Sequence, residues 1–138
     1  IKVMIKRGII NPEVNYNLSM LTHMDKFLVS DSAMELPKEM NRIDLAFKPN
    51  VPDVITITKG ILEDCLIEKA YMAEEMREVS NELYNQYVEL LTSNNVPIEL
   101  IPHSQFCKLT NNDVRFTIRT GDARYHYASV ILQAGCPY

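Results

Sequence analysis

Three residues around one short apolar segment have the types needed for acid–base chemistry. His23 and Asp25 come just before residues 26–30, and Asp31 comes directly after them. Imidazole exchanges protons near neutral pH, so a positioned histidine can give one proton and take up another without a cofactor. A buried strand has no structural need for such flanking residues. They are therefore either solvated loop residues or an acid–base pair at the edge of a pocket.

Each of these residues also has a purely structural interpretation. A histidine at the C-terminal end of a helix is stabilised by the helix dipole, and periodicity alone favours this role for His23. Asp31 fits a turn, and Tyr127 fits an aromatic residue at the start of a strand. Considered singly, the residues leave the choice open. Acid–base chemistry is nevertheless the chemistry that the sequence supports best.

Other kinds of site find less support. His103 and Cys107 are four residues apart and share a helical face, but two ligands do not make a zinc site. The four glycines are too far apart for a nucleotide-binding loop. Three widely spaced cysteines predict no disulfide framework, and Cys65 and Cys107 are interpreted as small core residues. A cysteine-dependent hydrolase remains a distant alternative, and we expect no metal.

The composition is typical of one globular domain. The 138 residues are 46% hydrophobic and 23% charged, which suits a single self-sufficient core. A net charge of −4 argues against nucleic acid or an anionic membrane surface as a partner. No apolar run approaches the ~18 residues that span a bilayer, and the opening "IKVMIKRG" lacks the apolar stretch of a signal peptide. We expect one cytoplasmic domain over residues 1–138.

Helical and strand-like patterns alternate along the chain. Strands are predicted over residues 26–30, 43–47, 65–72, 98–101, 114–119 and 128–132, and helices from Asn11–Pro12 onward, over 81–91 and, as a short turn, over 103–109. Residues 51–63 are ambiguous, because β-branched residues favour a strand while length and the capping potential of Asp53 favour a helix. The alternation favours the helix. The pattern predicts an α/β sandwich with a central sheet, whose ligands bind beyond the strand ends.

Seven segments, in order along nearly the whole chain, are similar to motifs of one family of small sugar isomerases. The segments are "KRGIIN" (a lysine–glycine start), "THMD" (Gly-His-x-Asp), "VSDSAMELP" (a strand-end aspartate and a proline-bearing loop), "NRIDLAF" (Arg-Ile-Asp), "AEEM", "IPHSQF" (His-x-x-Phe) and "IRTGDARYHYASVILQAG" (an Arg-Ser/Thr-Gly-Glu loop leading to a Tyr-Ala-Asn strand). The sequence thus resembles the D-ribose pyranase and L-fucose mutarotase family.

The resemblance implies a fold, an activity and a set of site residues. The fold would be a three-layer α/β/α sandwich with a mixed sheet of about six strands. The activity would be a cofactor-independent interconversion of monosaccharide ring forms or anomers, in ring-shaped decamers whose last segment reaches into a neighbouring subunit's site. The implied site consists of His23 as the proton donor, Asp31 and His103 as ligands of sugar hydroxyls, and Tyr127, Ala128 and Ser129 completing the pocket. Asp25 or a backbone group would orient the imidazole of His23.

The sequence departs from the family motifs at several pocket positions. Thr22 and Ala33 replace glycines, Cys107 replaces the lysine of ribose pyranases, and Ser129 replaces an asparagine. The last loop has one extra residue, so Tyr125 competes with Tyr127 for the motif tyrosine. Because of these changes, the motifs do not identify the sugar. A second interpretation is a non-catalytic monosaccharide-binding module associated with sugar uptake.

Overall fold

A six-stranded mixed sheet forms the centre of the fold in a computed structural model that describes Met4 and residues 7–138. Its strands are β1 (Lys26–Ser30), β2 (Arg42–Asp44), β3 (Ile67–Ala73), β4 (Ile98–Ile101), β5 (Val114–Arg119) and β6 (Val130–Ala134). The strand order is β2-β5-β1-β6-β3-β4. The six predicted strands are confirmed. The lysine of the predicted lysine–glycine start, Lys6, lies outside the described residues.

The strand directions decide which loops meet. Strand β6 runs antiparallel to its neighbours β1 and β3, whereas the pairs β1–β5, β2–β5 and β3–β4 are parallel. Five strands therefore end at the edge of the sheet where β6 begins. We call this edge, which carries Asp31, His103 and Ser129, the Asp31 edge. The opposite edge, which carries His23 and Glu68, is the His23 edge.

Two layers of helices cover the sheet. The helices are α1 (Pro12–Ser19), α2 (Val54–Asp64), α3 (Met76–Val79), α4 (Asn81–Ser93) and α5 (His103–Asp113). Side chains alternate along β1, so that Phe27 and Val29 pack in the core beneath α2 and α4, while Leu28 packs with Phe106 of α5. The predicted three-layer α/β arrangement is confirmed. In the described part of the chain every helix is too short or too polar to cross a bilayer.

Local capping explains where two helices begin. The Asn11 side chain accepts a hydrogen bond from the Val14 N–H at 3.0 Å, with Pro12 as the first helical residue. The Asp53 side chain accepts one from the Thr56 N–H at 2.8 Å and starts α2. The ambiguous residues 51–63 therefore contain a helix, as the alternation favoured, although it begins only after Asp53.

Other element boundaries differ from the prediction for local reasons. Strand β2 ends at Asp44, because the Asp44 carboxylate accepts the Ala46 N–H at 3.0 Å and turns the chain. Strand β6 begins at Val130, two residues later than predicted, since Tyr127 has a left-handed backbone with φ of 59°. Helix α5 continues to Asp113 through a polar sequence, with Thr110 buried, and the four-residue α3 was not predicted.

Candidate active site

A cavity of about 430 Å³ opens at the Asp31 edge of the sheet. This volume is within the range of small-molecule sites, roughly 300–1,000 Å³. Its polar lining comes from Asp31, Glu35, His103, His126, Tyr127 and Ser129, and Tyr125, Phe106 and Cys107 add aromatic and sulfur surface. The lining therefore combines carboxylates, imidazoles and hydroxyls above an aromatic wall.

Strand pairing positions Asp31. Because β1 and β6 are antiparallel and adjacent, the residue after β1 meets the residues before β6. The Ser129 hydroxyl accepts a hydrogen bond from the Asp31 N–H at 3.0 Å and donates one to the Asp31 carboxylate at 3.2 Å. The other carboxylate oxygen accepts the Ala33 N–H at 2.9 Å. A carboxylate has about four acceptor positions, so Asp31 is oriented and can still accept from a ligand.

Helix α5 positions His103, which is its first residue. The Glu75 carboxylate accepts the His103 backbone N–H with both oxygens, at 3.0 and 3.1 Å. A negative charge is favourable at a helix N-terminus. The His103 ring packs edge-on against Tyr127, with 4.9 Å between ring centroids. Its Nε2 lies 3.4 Å from the Cys107 sulfur, and its Nδ1 is buried without a hydrogen-bond partner among the described residues.

Cys107 lies in the wall of the cavity, so its interpretation as a core residue was wrong. Burial raises the pKa of its thiol, and the neighbouring Glu35 and Glu75 carboxylates raise it further. A nucleophilic cysteine needs the opposite, a lowered pKa beside positive charge. The surroundings of Cys107 therefore do not favour a cysteine-dependent hydrolase.

Hydrogen bonds from the core hold the loop before β6. The buried Tyr87 hydroxyl donates to the Ala128 carbonyl at 2.7 Å. The Ser80 hydroxyl donates to the His126 carbonyl, also at 2.7 Å. Between these two carbonyls, Tyr127 adopts its left-handed backbone and turns its side chain into the cavity wall. Ala128 is fully buried and does not itself line the cavity.

His23 lies at the other edge of the sheet. Its Nε2 is 3.0 Å from a Glu68 carboxylate oxygen, and half of the side chain is exposed. The second Glu68 oxygen accepts from the Gln133 amide at 2.7 Å. The hydrogen bonds from Gln133 and then His23 lower the pKa of Glu68. Glu68 is thus the residue that orients this imidazole.

Asp25, one of the two alternatives predicted to orient His23, has other partners in the structure. Its carboxylate accepts the Thr22 N–H and hydroxyl, at 2.8 and 2.9 Å, and the Arg115 Nε–H at 3.2 Å. Burial by itself raises the pKa of Asp25, but the hydrogen bonds from Thr22 and Arg115 outweigh it and the pKa is lowered. Asp25 therefore shapes the turn that carries His23 without contacting the ring.

The comparisons with known proteins agree with this architecture. Residues 4–137 match the model of the RbsD / FucU transport protein family. The chain belongs to this family. It is 36% identical to the D-ribose pyranase of Photobacterium profundum over 138 residues, which cover 96% of this chain and 98% of that protein. RbsD of Bacillus subtilis, solved in complex with D-ribose, superposes with a TM-score of 0.90 at 32% identity, covering 98% of this chain and all of that one.

A more distant member has the same fold. The fucose mutarotase of Streptococcus pneumoniae, solved in complex with L-fucose, superposes with a TM-score of 0.69 at 14% identity, covering 94% of this chain and 95% of that one. The predicted resemblance to the RbsD / FucU family is therefore confirmed, and so is its α/β fold.

The fold brings together most of the residues that the family motifs predict, but not all of them. Asp31, His103, Tyr127 and Ser129 line one cavity, whereas Ala128, between two of them, is buried and does not line it. His23 and Asp31 are separated by the length of β1, about 17 Å for five residues at ~3.3 Å each. His23 is therefore not part of the cavity of its own chain. Tyr125 and Tyr127 both line the cavity, so the extra loop residue removes neither.

Three residues that support the cavity were not predicted from the sequence. Glu75 accepts the His103 N–H, and Tyr87 donates to the Ala128 carbonyl. Arg119 donates to the Ser32 carbonyl through Nε and Nη2, at 3.2 and 3.1 Å, and pairs with Asp44 at 2.9 Å. The motifs "AEEM" and "IRTG" contain two of them, but their partners are 28 and 87 residues away.

No cluster of three or more potential metal ligands occurs within Met4 and residues 7–138.

Proposed function

We propose that this protein interconverts ring forms or anomers of a monosaccharide by acid–base catalysis without a cofactor. The observation that carries the proposal is the cavity at the Asp31 edge, with its oriented carboxylate, imidazole and hydroxyl groups, in a chain 36% identical to a D-ribose pyranase. The 32% identical RbsD of Bacillus subtilis binds D-ribose. We further propose a cytoplasmic location, as expected for an enzyme of sugar use.

Sugar binding follows from the lining. The free acceptor positions of Asp31 suit sugar O–H donors, and the Ser129 hydroxyl beside it fixes the carboxylate plane. His103 offers a ring nitrogen to a further hydroxyl. Tyr127, held edge-on against His103, gives a rigid apolar surface on which one face of a sugar ring can pack.

The chemistry requires two proton movements. The anomeric hydroxyl loses a proton while the ring oxygen gains one, and the hemiacetal opens to an aldehyde. Renewed attack by the same hydroxyl gives the other anomer, and attack by a different hydroxyl changes the ring size. One general acid supplies about 10²–10⁴ in rate, which corresponds to roughly 3–5 kcal/mol of barrier.

His23 is the proposed proton donor, and it acts on the cavity of a neighbouring subunit. Within its own chain the sheet separates it from Asp31. Glu68 holds the imidazole at the His23 edge, with half of the side chain in solvent. Three large apolar side chains around it, Met20, Met24 and Leu66, are 63, 58 and 56% exposed. Such a surface suits contact with a second copy, and the proposed assembly is the ring-shaped decamer of the family.

The experiment measures exchange between sugar ring forms by magnetisation-transfer NMR over a panel of aldoses that includes ribose and fucose. His23→Ala is expected to fold and bind sugar as the wild type does, but to lose about 10²–10⁴ of the exchange rate. Sugar affinity and assembly size are measured on the same samples. Full exchange in the His23→Ala variant removes His23 from the mechanism.

A mixing experiment tests whether the site is shared between subunits. His23→Ala and Asp31→Asn subunits are each expected to be inactive. Suppose that a site takes its cavity from one chain and His23 from another. In randomly co-assembled 1:1 mixtures, about half of the cavities keep Asp31 and about half of the neighbouring chains keep His23, so about a quarter of the wild-type rate returns. A site built within one chain regains none. Unmixed variants at the same total concentration are the controls.

The second candidate is a sugar-binding module without catalysis. Cys107 in the cavity wall, where ribose pyranases carry a lysine, is the observation that favours it. Sugar binding without exchange on any aldose of the panel supports this candidate over the isomerase.

A further inference from the structure

The cavity contains a second imidazole that the family motifs do not include. His126 lines the cavity together with Asp31 and His103, and its side chain is exposed to it. The extra residue of the last loop lies within the segment that ends in His126 and Tyr127. In the described part of the chain, neither a hydrogen bond nor an ion pair engages the His126 ring. Its two nitrogens are therefore available to a ligand.

The other imidazole of the cavity is more restricted. The Nε2 of His103 lies beside the Cys107 sulfur, and its Nδ1 is buried away from solvent. A general base needs a ring nitrogen that the proton of the substrate can reach. The Cys107 sulfur and burial constrain the two nitrogens of His103, whereas the ring of the exposed His126 faces no such constraint.

The backbone of His126 is fixed, so the fold determines where its side chain leaves the loop. The Ser80 hydroxyl donates to its carbonyl at 2.7 Å, and Ser80 is buried at the start of α4. The next residue, Tyr127, has the left-handed backbone, and the Ala128 carbonyl is held by Tyr87. These three constraints hold the backbone of the loop in one conformation beside the cavity.

We infer that His126 is a second proton-transfer residue of the cavity, acting on the anomeric hydroxyl of the bound sugar. The inference rests on the proposed function, in which His23 donates a proton to the ring oxygen. It assigns the second proton movement, the loss of the proton from the anomeric hydroxyl. The neutral ring of His126 takes the anomeric O–H proton as the C1–O bond becomes a carbonyl. The bond between C1 and the ring oxygen breaks, and the ring oxygen keeps the electron pair and takes a proton from His23 of the neighbouring subunit. Ring closure reverses both transfers, so no proton is gained or lost.

Two variants of His126 and one matched control test the inference. His126→Gln keeps a polar side chain of similar reach, and His126→Ala leaves space for a small molecule. Ala123→Ser changes an exposed residue of the same loop that does not line the cavity. Each protein is assayed for exchange between pH 5 and 9, for sugar affinity by calorimetry, and for assembly size.

Both His126 variants are expected to bind sugar within about threefold of the wild type and to lose about 10²-fold or more of the exchange rate. The fall in rate at low pH, where a general base becomes protonated, is expected to be absent from both. Added imidazole is expected to restore exchange in His126→Ala only. A structural role does not predict this rescue.

Rates within threefold of the wild type in both variants overturn the inference, as does a loss of rate that imidazole leaves unchanged while the pH profile keeps its shape. Failure of the proposed function looks different, since the wild type itself then shows no exchange on any sugar. Wild-type exchange that also depends on His23, but not on His126, leaves the proposed function in place and removes only this inference.

Discussion

The Tyr87 hydroxyl links the hydrophobic core to the loop that carries the cavity wall, and its removal is the sharpest test of how the cavity is held. Tyr87 lies on α4 and is fully buried, and its hydroxyl donates to the Ala128 carbonyl at 2.7 Å. Tyr87→Phe keeps the ring and deletes the donor. A buried acceptor left without a partner costs about 1–3 kcal/mol of unfolding free energy. In a chain of this size that lowers Tm by roughly 4–12 °C.

The same change is expected to weaken sugar binding. A left-handed backbone at a residue other than glycine costs on the order of 1–3 kcal/mol and persists only where its surroundings hold it. Tyr127 has this backbone directly before the Ala128 carbonyl. Without the Tyr87 donor the loop is expected to sample other conformations, and Kd for the sugar is expected to rise by about 3–10-fold, or ~0.7–1.4 kcal/mol.

Stability at high pH gives an independent readout of the same hydroxyl. Burial raises the pKa of Tyr87 well above its ordinary value near 10, and the Asp122 and Asp31 charges add to this. Above that ordinary value the unfolded phenol ionises while the folded one stays protonated, so the native state binds more protons. Unfolding free energy therefore falls as pH rises through this range. Tyr87→Phe is expected to lack this part of the fall.

Thermal unfolding followed by circular dichroism between pH 7 and 11 measures both effects, and calorimetry measures sugar affinity. Tyr84→Phe is the matched control, because Tyr84 lies on the same helix and packs against the core without a hydroxyl hydrogen bond in the described structure. The unfolding free energy of Tyr84→Phe is expected to stay within about 0.5 kcal/mol of the wild-type value. The coupling between Tyr87 and the loop is refuted if Tyr87→Phe and Tyr84→Phe have the same unfolding free energy at pH 7. It is also refuted if both variants lose the same unfolding free energy between pH 7 and pH 11.

Three further changes probe the cavity itself. Glu75→Gln keeps an acceptor for the His103 N–H but removes the charge at the α5 N-terminus, so chemical denaturation is expected to show a loss of about 0.3–1 kcal/mol. Ser129→Ala leaves the Asp31 N–H without its partner and is expected to cost about 1–2 kcal/mol in the same assay, with weaker sugar binding by calorimetry. The lining contains Asp31 and Glu35 but neither lysine nor arginine, so a phosphorylated pentose is expected to bind more weakly than the free sugar. Glu35→Lys is expected to narrow that difference about tenfold, or ~1.4 kcal/mol, which competition calorimetry measures.

Local sequence patterns predicted most of the elements, because the local signals and the fold agree. Strand β1 matches its apolar run residue for residue, and Asn11 and Asp53 cap the helices expected of them. The differences arise where tertiary contacts or single side chains decide. Residues 45–47 look like strand but leave the sheet through the turn at Asp44. The polar end of α5 is helical because Thr110 is buried against the sheet.

Four of the six predicted site residues, Asp31, His103, Tyr127 and Ser129, line one cavity, whereas His23 and Ala128 do not. The arrangement of the set was not predicted. The separation of His23 from Asp31 could have been predicted, because a five-residue strand between two residues keeps them about 17 Å apart. The supports Glu75, Tyr87 and Arg119 have no comparable signal in the sequence. Each acts on a residue 28 to 87 positions away, so its partner follows only from the strand order.

The separation of His23 from the cavity changes what distinguishes an isomerase from a sugar-binding module in this family. The groups proposed to hold the sugar, Asp31, His103, Tyr127 and Ser129, line one cavity at the Asp31 edge of a single chain. A single chain is therefore equipped to bind but lacks its proposed acid. We propose that a second copy presents His23, already oriented by Glu68, and supplies this proton. In the proposed function, catalysis requires this contact between subunits as well as the residues of the cavity.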